Sequence, residues 1–126
     1  GGGGNYVFII DIAQMRIVHF GDFGQNSITP EQLIALKNID IAFMMFYNEA
    51  NIAIMDQLKP RIIIPTHLGD SRAIELLAKQ WNARIVEENW VECKAQDLPS
   101  EMTALFVGDW AKRVGEIIDL KKWQDK

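Results

Sequence analysis

The stretch Leu58-Lys59-Pro60-Arg61-Ile62-Ile63-Ile64-Pro65-Thr66-His67 decides the fold of this chain. Its three consecutive isoleucines are β-branched and favour an extended strand, and the lack of polar residues among them is typical of a strand buried on both faces. Pro60 ends the helix expected before it, and Pro65 closes the apolar run. We therefore predict a buried strand over Arg61 to Pro65, with His67 just past its end.

Strand-like and helix-like segments alternate on both sides of this strand. The alternation predicts an α/β protein with a mixed sheet and helices packed on it. The connection between the first two strands is so short that they are expected to form a hairpin. The expected strands are Tyr6 to Asp11, Met15 to Phe20, Ile39 to Phe46, Arg84 to Glu87, Trp90 to Cys93 and Leu105 to Val107, and the expected helices run from Thr29 to Lys37, from Asn48 to Leu58, from Asp70 to about Trp81 and from Asp109 to Leu120.

Two of these helices have specific sequence signals. Thr29-Pro30-Glu31-Gln32 predicts a capping box, in which threonine is the N-cap, proline takes the first helical position and glutamine bonds back to the cap. The helix after Asp70 has apolar residues at the spacing of one helical face, namely Ile74, Leu77, Ala78 and Trp81.

The composition is that of one folded domain. The chain has 126 residues, of which 48% are hydrophobic and 24% charged, and this is enough apolar material for a single core. Residues 1–126 are therefore expected to form one unit. Gly1 to Gly4 precede the first strand and are either a remnant of expression or a flexible loop leading into the sheet.

The charge pattern narrows the range of partners. The formal net charge of −4 is mild, and lysine and arginine are scattered along the chain, which argues against nucleic acid as a partner. No apolar stretch reaches the roughly 18 residues of a membrane span. The single Cys93 excludes an internal disulfide and leaves the redox compartment open. We favour a cytoplasmic location, with an export signal upstream of these residues as the alternative.

A carboxylate and an imidazole each follow an apolar run. Asp22 closes the segment His19-Phe20-Gly21-Asp22, and His67 closes Pro65-Thr66-His67. Taken alone these are weak signals, because an Asp after Gly is often a turn residue and a lone His often has a structural hydrogen bond. Together they look like two ligands of a metal site. A hydrolytic zinc centre takes three protein ligands and an open water position. The chain is therefore interpreted as one half of an enzyme whose other half supplies the remaining ligands.

The motifs together resemble the C-terminal half of metallo-β-lactamase-fold hydrolases, and most closely the branch that includes ascorbate-phosphate lactonase-like proteins. The similarity extends over nearly the whole chain from Asn5. The stretches that carry it are Val7-Phe8-Ile9-Ile10, Arg16-Ile17-Val18-His19-Phe20-Gly21-Asp22-Phe23-Gly24, the Thr29-Pro30-Glu31-Gln32 helix start, Ile39-Asp40-Ile41, Leu58 to His67, and Gly108-Asp109-Trp110-Ala111-Lys112 with the helix to Leu120.

This resemblance implies a fold and a chemistry. The fold is half of a metallo-β-lactamase αββα sandwich, a mixed sheet with helices on one face. Asp22 would bridge two divalent metal ions and His67 would bind the second, with zinc expected before manganese or iron. A metal-bound hydroxide would attack an ester, lactone or phosphodiester. The His-x-His-x-Asp-His motif that supplies most other ligands is absent from these residues, so the isolated chain is expected to be inactive.

Three further polar residues are candidates for the same site. His19 lies two positions before Gly21 and is expected to support a ligand rather than to bind metal itself. Gln25 stands where related sequences often have histidine. Glu49 either faces the site or serves as a first-turn carboxylate of the helix that it begins.

Two classes of function follow from these residues. The first is the C-terminal part of a metal-dependent hydrolase, completed by an N-terminal half and acting on a small molecule. The second is a non-catalytic module that pairs with a partner chain or with itself, because a half sandwich leaves an apolar sheet face uncovered. Phe43, Met45 and Ile63 or their alternate-face neighbours are expected in that interface. A doubly wound domain with Asp22 as phosphoacceptor or Mg²⁺ ligand fits the opening hairpin less well.

Overall fold

The computed structural model describes residues 7–21, 27–46, 49–68 and 71–108. Its strands are β1 (Phe8–Ile12), β2 (Met15–His19), β3 (Ile41–Phe46), β4 (Ile62–Leu68), β5 (Asn82–Val86) and β6 (Thr103–Val107), and its helices are α1 (Pro30–Ala35), α2 (Glu49–Leu58), α3 (Ser71–Gln80) and a 3-10 turn at Ala95–Asp97. The expected helix from Asp109 to Leu120, the start of the first strand at Tyr6 and the caps Asn48 and Asp70 lie outside the described residues.

The strands form one mixed sheet in the order β1-β2-β3-β4-β6-β5. β1 pairs antiparallel with β2, and all other neighbours are parallel. The α/β class and the mixed sheet predicted from the sequence are confirmed. No helix in the described ranges is both long and apolar enough to cross a membrane.

The opening hairpin turns on two residues in the left-handed region. Ala13 and Gln14 have φ angles of 52° and 63°, and Ile12 pairs directly with Met15. Positive φ at both central residues is the geometry of a type I′ turn, whose twist matches that of the strands it joins. The predicted hairpin is confirmed, although the turn has neither the glycine nor the asparagine that usually marks it.

The first parallel pairing is fixed at the amino ends of the strands by Asp40. Its carboxylate Oδ2 accepts the Arg16 backbone N–H at 2.7 Å, while the Asp40 N–H donates to the Arg16 carbonyl at 2.9 Å. The Asp40 carbonyl in turn accepts the Ile62 N–H at 2.9 Å. One residue therefore joins three neighbouring strands before β3 begins.

Helix α1 has the predicted capping box but ends earlier than expected. Thr29 Oγ1 accepts the Gln32 N–H at 3.1 Å, and Gln32 Oε1 accepts the Thr29 N–H at 3.0 Å. The helix stops at Ala35, and Asn38 beyond it has a φ of 61°. The Arg16 guanidinium donates to the Lys37 carbonyl at 3.0 Å. A side chain from β2 therefore satisfies a carbonyl group just beyond the end of the helix.

One face of the sheet carries the helices. The larger core cluster combines residues of β2, β3, β4, β5 and β6 with buried side chains of α2 and α3. Next to it, the Trp81 indole N–H donates to Asp56 Oδ1 at 3.4 Å and its ring meets Phe46 edge to face. The buried helix and sheet side chains of this cluster include Ile54, Met55, Leu58, Leu77, Val18, Met44, Ile63 and Phe106.

The other face is covered in part by the connection between β5 and β6. Cys93, Ala95 and Leu98 pack against a second cluster formed by residues of β2, β3, β4 and β6. The predicted strand from Trp90 to Cys93 is therefore wrong, because this segment crosses the sheet face on the way from β5 to its parallel neighbour β6 and pairs with none of the described strands. Trp90 itself is 68% exposed.

The exposed apolar surface lies elsewhere than the sequence suggested. Met45 and Ile63 are buried within the chain, and Phe43 is partly covered. Large apolar side chains are exposed instead on the edge strand β1, where Phe8 is 60% and Ile12 is 58% exposed. Other segments of the chain thus cover the central strands from solvent, whereas the antiparallel edge strand β1 is left exposed.

Cys93 reports whether the connection covers the sheet. Burial raises the pKa of the Cys93 thiol above its ordinary value, which lowers the thiolate fraction near neutral pH. We expect iodoacetamide to modify Cys93 more slowly in the folded chain than in the chain unfolded by guanidinium, with the rate-against-pH curve displaced to higher pH. Ser100→Cys in a Cys93→Ser background is the exposed control and should react like an ordinary thiol. Equal rates for the two folded variants would contradict the packing.

Candidate functional site

The carboxyl ends of five parallel strands lie along one end of the sheet, which we call the carboxyl edge. β2 through β6 all run in the same direction, so the residues after each of them lie along this edge. In open α/β sheets ligands bind outside the carboxyl ends of the strands. Of the candidate ligands, His67 is part of β4, and Asp22 comes directly after Gly21 in the sequence.

The end of β2 is held by main-chain and side-chain hydrogen bonds. Phe20 N–H donates to the Phe43 carbonyl at 3.0 Å, which continues the parallel pairing beyond His19. Gly21 follows with a φ of 59°, a conformation that glycine adopts without a steric penalty. Asp22 is the next residue in the chain. Asp22 and Gln25 themselves lie outside the described residues.

The end of β4 differs from the prediction. The strand continues past Pro65 to Leu68, so the His67 backbone is part of the strand rather than beyond it. Met44 pairs with Pro65, but Met45 pairs with His67, which leaves Thr66 as an extra residue on β4. Proline is tolerated within sheets at such bulges, because the local ladder is already interrupted. This bulge was not predicted from the sequence.

The end of β2 and the backbone of His67 lie on either side of β3. His19, the last residue of β2, pairs with Phe43, and His67 pairs with Met45, two residues further along β3. Because neighbouring strands are about 4.8 Å apart, β2 and β4 are roughly 10 Å apart across β3. The structure thus brings the described residues before Asp22 and the His67 backbone to the same end of the sheet. The His67 side chain is not among the described parts.

His19 is exposed and engaged with its own backbone. Its Nδ1 accepts the Gly21 N–H at 3.0 Å, and its ring stacks on Phe43 with 5.6 Å between centroids and 14° between planes. A nitrogen that accepts this bond has no lone pair left for a metal. In this arrangement His19 holds the turn that follows β2.

Glu49 begins α2 and is exposed. A carboxylate in the first turn interacts favourably with the positive end of the helix dipole. Of its two predicted roles, the position at the helix start and the exposure favour the structural one.

Metal-binding side chains do not cluster in the described ranges. Among residues 7–21, 27–46, 49–68 and 71–108, no three His, Cys, Asp or Glu side chains come together to hold an ion. Asp22 and His67 stay candidates from the sequence.

The sequence reasoning missed a close contact at the same edge. After β6, Gly108 has a φ of 63°, and a Cβ at this position would lie 2.5 Å from Asn89 Oδ1. Its N–H donates to the Val86 carbonyl at 2.9 Å. A signal was present in Gly108 directly after an apolar run, since glycine there often marks a left-handed turn.

Comparison with known proteins yields one finding. A family model described as a beta-lactamase superfamily domain matches residues 2–67, just over half of the chain. This match includes both Asp22 and His67 and ends at the latter. Searches of curated proteins and of solved structures give no match.

Replacement of Gly108 tests the packing of this edge. We expect Gly108→Ala to lower the free energy of unfolding by about 2 kcal/mol, because alanine at positive φ is strained and its Cβ would overlap the Asn89 amide. Urea denaturation measures the change. In an Asn89→Ala background the overlap is gone and only the backbone strain remains, so the same replacement should cost less. An equal cost in both backgrounds would contradict the contact.

Proposed function

The chain belongs to the beta-lactamase superfamily, and on this basis we propose that it is the C-terminal part of a metal-dependent hydrolase. The observation that carries the proposal is that β2 and β4 run parallel on either side of β3, so that Gly21 and the His67 backbone lie at the same end of the sheet. Asp22, which follows Gly21, and His67 would then supply a carboxylate and an imidazole to one site. More finely, we propose a relationship to the branch that includes ascorbate-phosphate lactonase-like proteins.

The chemistry of the donor set fits a divalent metal ion. Carboxylate oxygen and neutral imidazole nitrogen are ligands that zinc, manganese and iron all accept. Asp22 would hold the ion, or bridge two ions, through its two oxygens, and His67 would bind through one ring nitrogen. We place zinc first, with manganese or iron as alternatives. When bound, the metal supplies an activated water and stabilises the negative charge that develops on an ester, lactone or phosphodiester substrate.

The chain's own residues would supply position rather than acid or base groups. Gly21 allows the chain to leave β2 without a Cβ clash, and the Thr66 bulge sets the register at which His67 stands on β4. Both anchors are backbone features of a sheet with a buried core, so the ligands would be held on a rigid frame. Rigid strand ends are better supports for a metal site than loops are.

Two ligands do not complete a hydrolytic centre. Such sites use at least three protein ligands for each ion, and the 126 residues contain only two histidines. We infer that the remaining ligands come from an N-terminal half outside these residues. The isolated chain would then bind metal weakly and be inactive.

Removal of the two ligands tests the proposal in the full-length protein. We expect Asp22→Ala and His67→Ala each to abolish retention of zinc after dialysis and to reduce hydrolysis of bis(4-nitrophenyl) phosphate to the level of the metal-free protein. The free energy of unfolding of the metal-free protein should change by no more than about 0.5 kcal/mol, because residues at the strand edge contribute little to the core.

Asp97→Ala is the matched control for this experiment. Asp97 is an exposed aspartate in the 3-10 turn of the connection between β5 and β6, so its loss should leave zinc content and hydrolysis unchanged. Full activity in the Asp22→Ala, His67→Ala double variant would show that the metal site is elsewhere.

The exposed edge strand favours a second candidate, an interaction module. Phe8, Ile10 and Ile12 alternate along one face of β1, and each is more than half exposed. They lie beside β2 on the face that the connection between β5 and β6 covers only in part. Contiguous apolar patches of this kind mark interaction surfaces. The occupant proposed here is the N-terminal half of the same domain, with a second copy of the chain as the alternative.

Sedimentation tests this association. At micromolar concentration we expect the isolated chain to sediment as a dimer or larger assembly and to bind a dye for exposed apolar surface. Phe8→Thr with Ile10→Thr places residues that favour strands at both positions but removes apolar area, and should shift the chain toward monomer. Ile34→Thr, which replaces an exposed apolar residue of α1, should not. A monomeric wild-type chain without dye binding would contradict the module.

A further inference from the structure

The turn that follows β2 is fixed by contacts from two directions. From β3, the Phe43 carbonyl accepts the Phe20 N–H at 3.0 Å, and the Phe43 ring stacks against the His19 ring. From β2 itself, His19 Nδ1 accepts the Gly21 N–H at 3.0 Å. The two consecutive N–H groups before Asp22 therefore both have a defined acceptor.

The hydrogen bond defines the tautomer of His19. A ring nitrogen that accepts a backbone N–H is unprotonated, so in the neutral imidazole the proton is on Nε2. The bond spans two residues from side chain to backbone, the same span by which Asn and Asp side chains stabilise turns. His19 thus takes the place of a turn residue at the end of a strand.

This bond controls the direction in which the chain leaves the sheet. The acceptor fixes the orientation of the peptide between Phe20 and Gly21, and the Gly21 φ of 59° then sets the course of the following peptide. The stack on Phe43 holds the imidazole in place, because Phe43 is in the centre of the sheet and partly buried. Without the acceptor, a glycine at this point would have many accessible conformations.

We propose that His19 is a positioning residue for Asp22, acting through the Gly21 backbone and not as a metal ligand. The inference rests on the proposed function, in which Asp22 binds the metal. The acceptor at Nδ1 is required, whereas the aromatic ring serves to hold that acceptor. Hydrogen bonds that orient metal ligands from behind commonly contribute a factor of about 10 to 100 in metal affinity.

Two substitutions separate the acceptor from the ring. His19→Phe keeps an aromatic ring against Phe43 but has no acceptor for the Gly21 N–H. His19→Asn loses the ring but offers Oδ1, which can accept the same N–H across two residues. Both are made in the full-length protein. The readouts are amide hydrogen exchange of Gly21 by NMR in the metal-free state, zinc affinity by competition with a chelator, and hydrolysis of bis(4-nitrophenyl) phosphate.

The expected pattern is loss and rescue. His19→Phe should speed exchange of the Gly21 amide and weaken zinc binding about tenfold or more. His19→Asn should restore slow exchange and most of the zinc affinity. Wild-type exchange and affinity in His19→Phe would overturn the proposal, and so would an equal loss in both variants, because the ring and not the acceptor would then matter.

The same measurements distinguish this inference from the proposed function. If the wild-type protein neither binds zinc nor hydrolyses the probe, the proposed function fails and the positioning of a metal ligand fails with it. If the wild-type protein does both and only the His19→Phe result is negative, the proposed function stands and the role of His19 alone is overturned.

Discussion

The structure depends on parallel pairing of β3 with strands on both of its sides. β3 is the strand through which β2 and β4 are brought into register, and its residues contribute to both core clusters. Parallel strands are stable only when both faces are covered. Here α2 and α3 cover one face, and the connection between β5 and β6 covers part of the other. This pairing brings the carboxyl ends of β2 and β4 to either side of β3, where we propose the metal site.

The sequence predicted the central strands and the helix starts because their signals are local. The isoleucine run of β4 and the Thr29 capping box need no distant partner to be recognised, and both are confirmed. The strand expected from Trp90 to Cys93 was wrong for the opposite reason. Its apolar residues pack on a sheet face. Composition alone does not distinguish a segment that covers a sheet from one that is a further strand of it.

The site was predictable only in part. Glycine before aspartate and the histidine after a buried run indicated the two segments, and the structure brings Gly21 and the His67 backbone to the same end of the sheet. The hydrogen bond between His19 and Gly21 was not predictable, because a histidine at the end of a strand has several equally ordinary partners. The bulge at Thr66 depends on a comparison of registers between two strands, and a single sequence contains no register.

The bulge on β4 makes the end of the strand more sensitive to deletion of a residue than to substitution. Side chains alternate between the two faces of a strand, so one residue more or less reverses every position beyond it. Thr66 is such an extra residue, and it stands directly before His67. Substitution at Thr66 leaves the alternation intact, whereas its deletion would exchange the faces of His67 and Leu68. Chain length at this point, more than the identity of any neighbouring side chain, decides what the end of the strand presents to the edge.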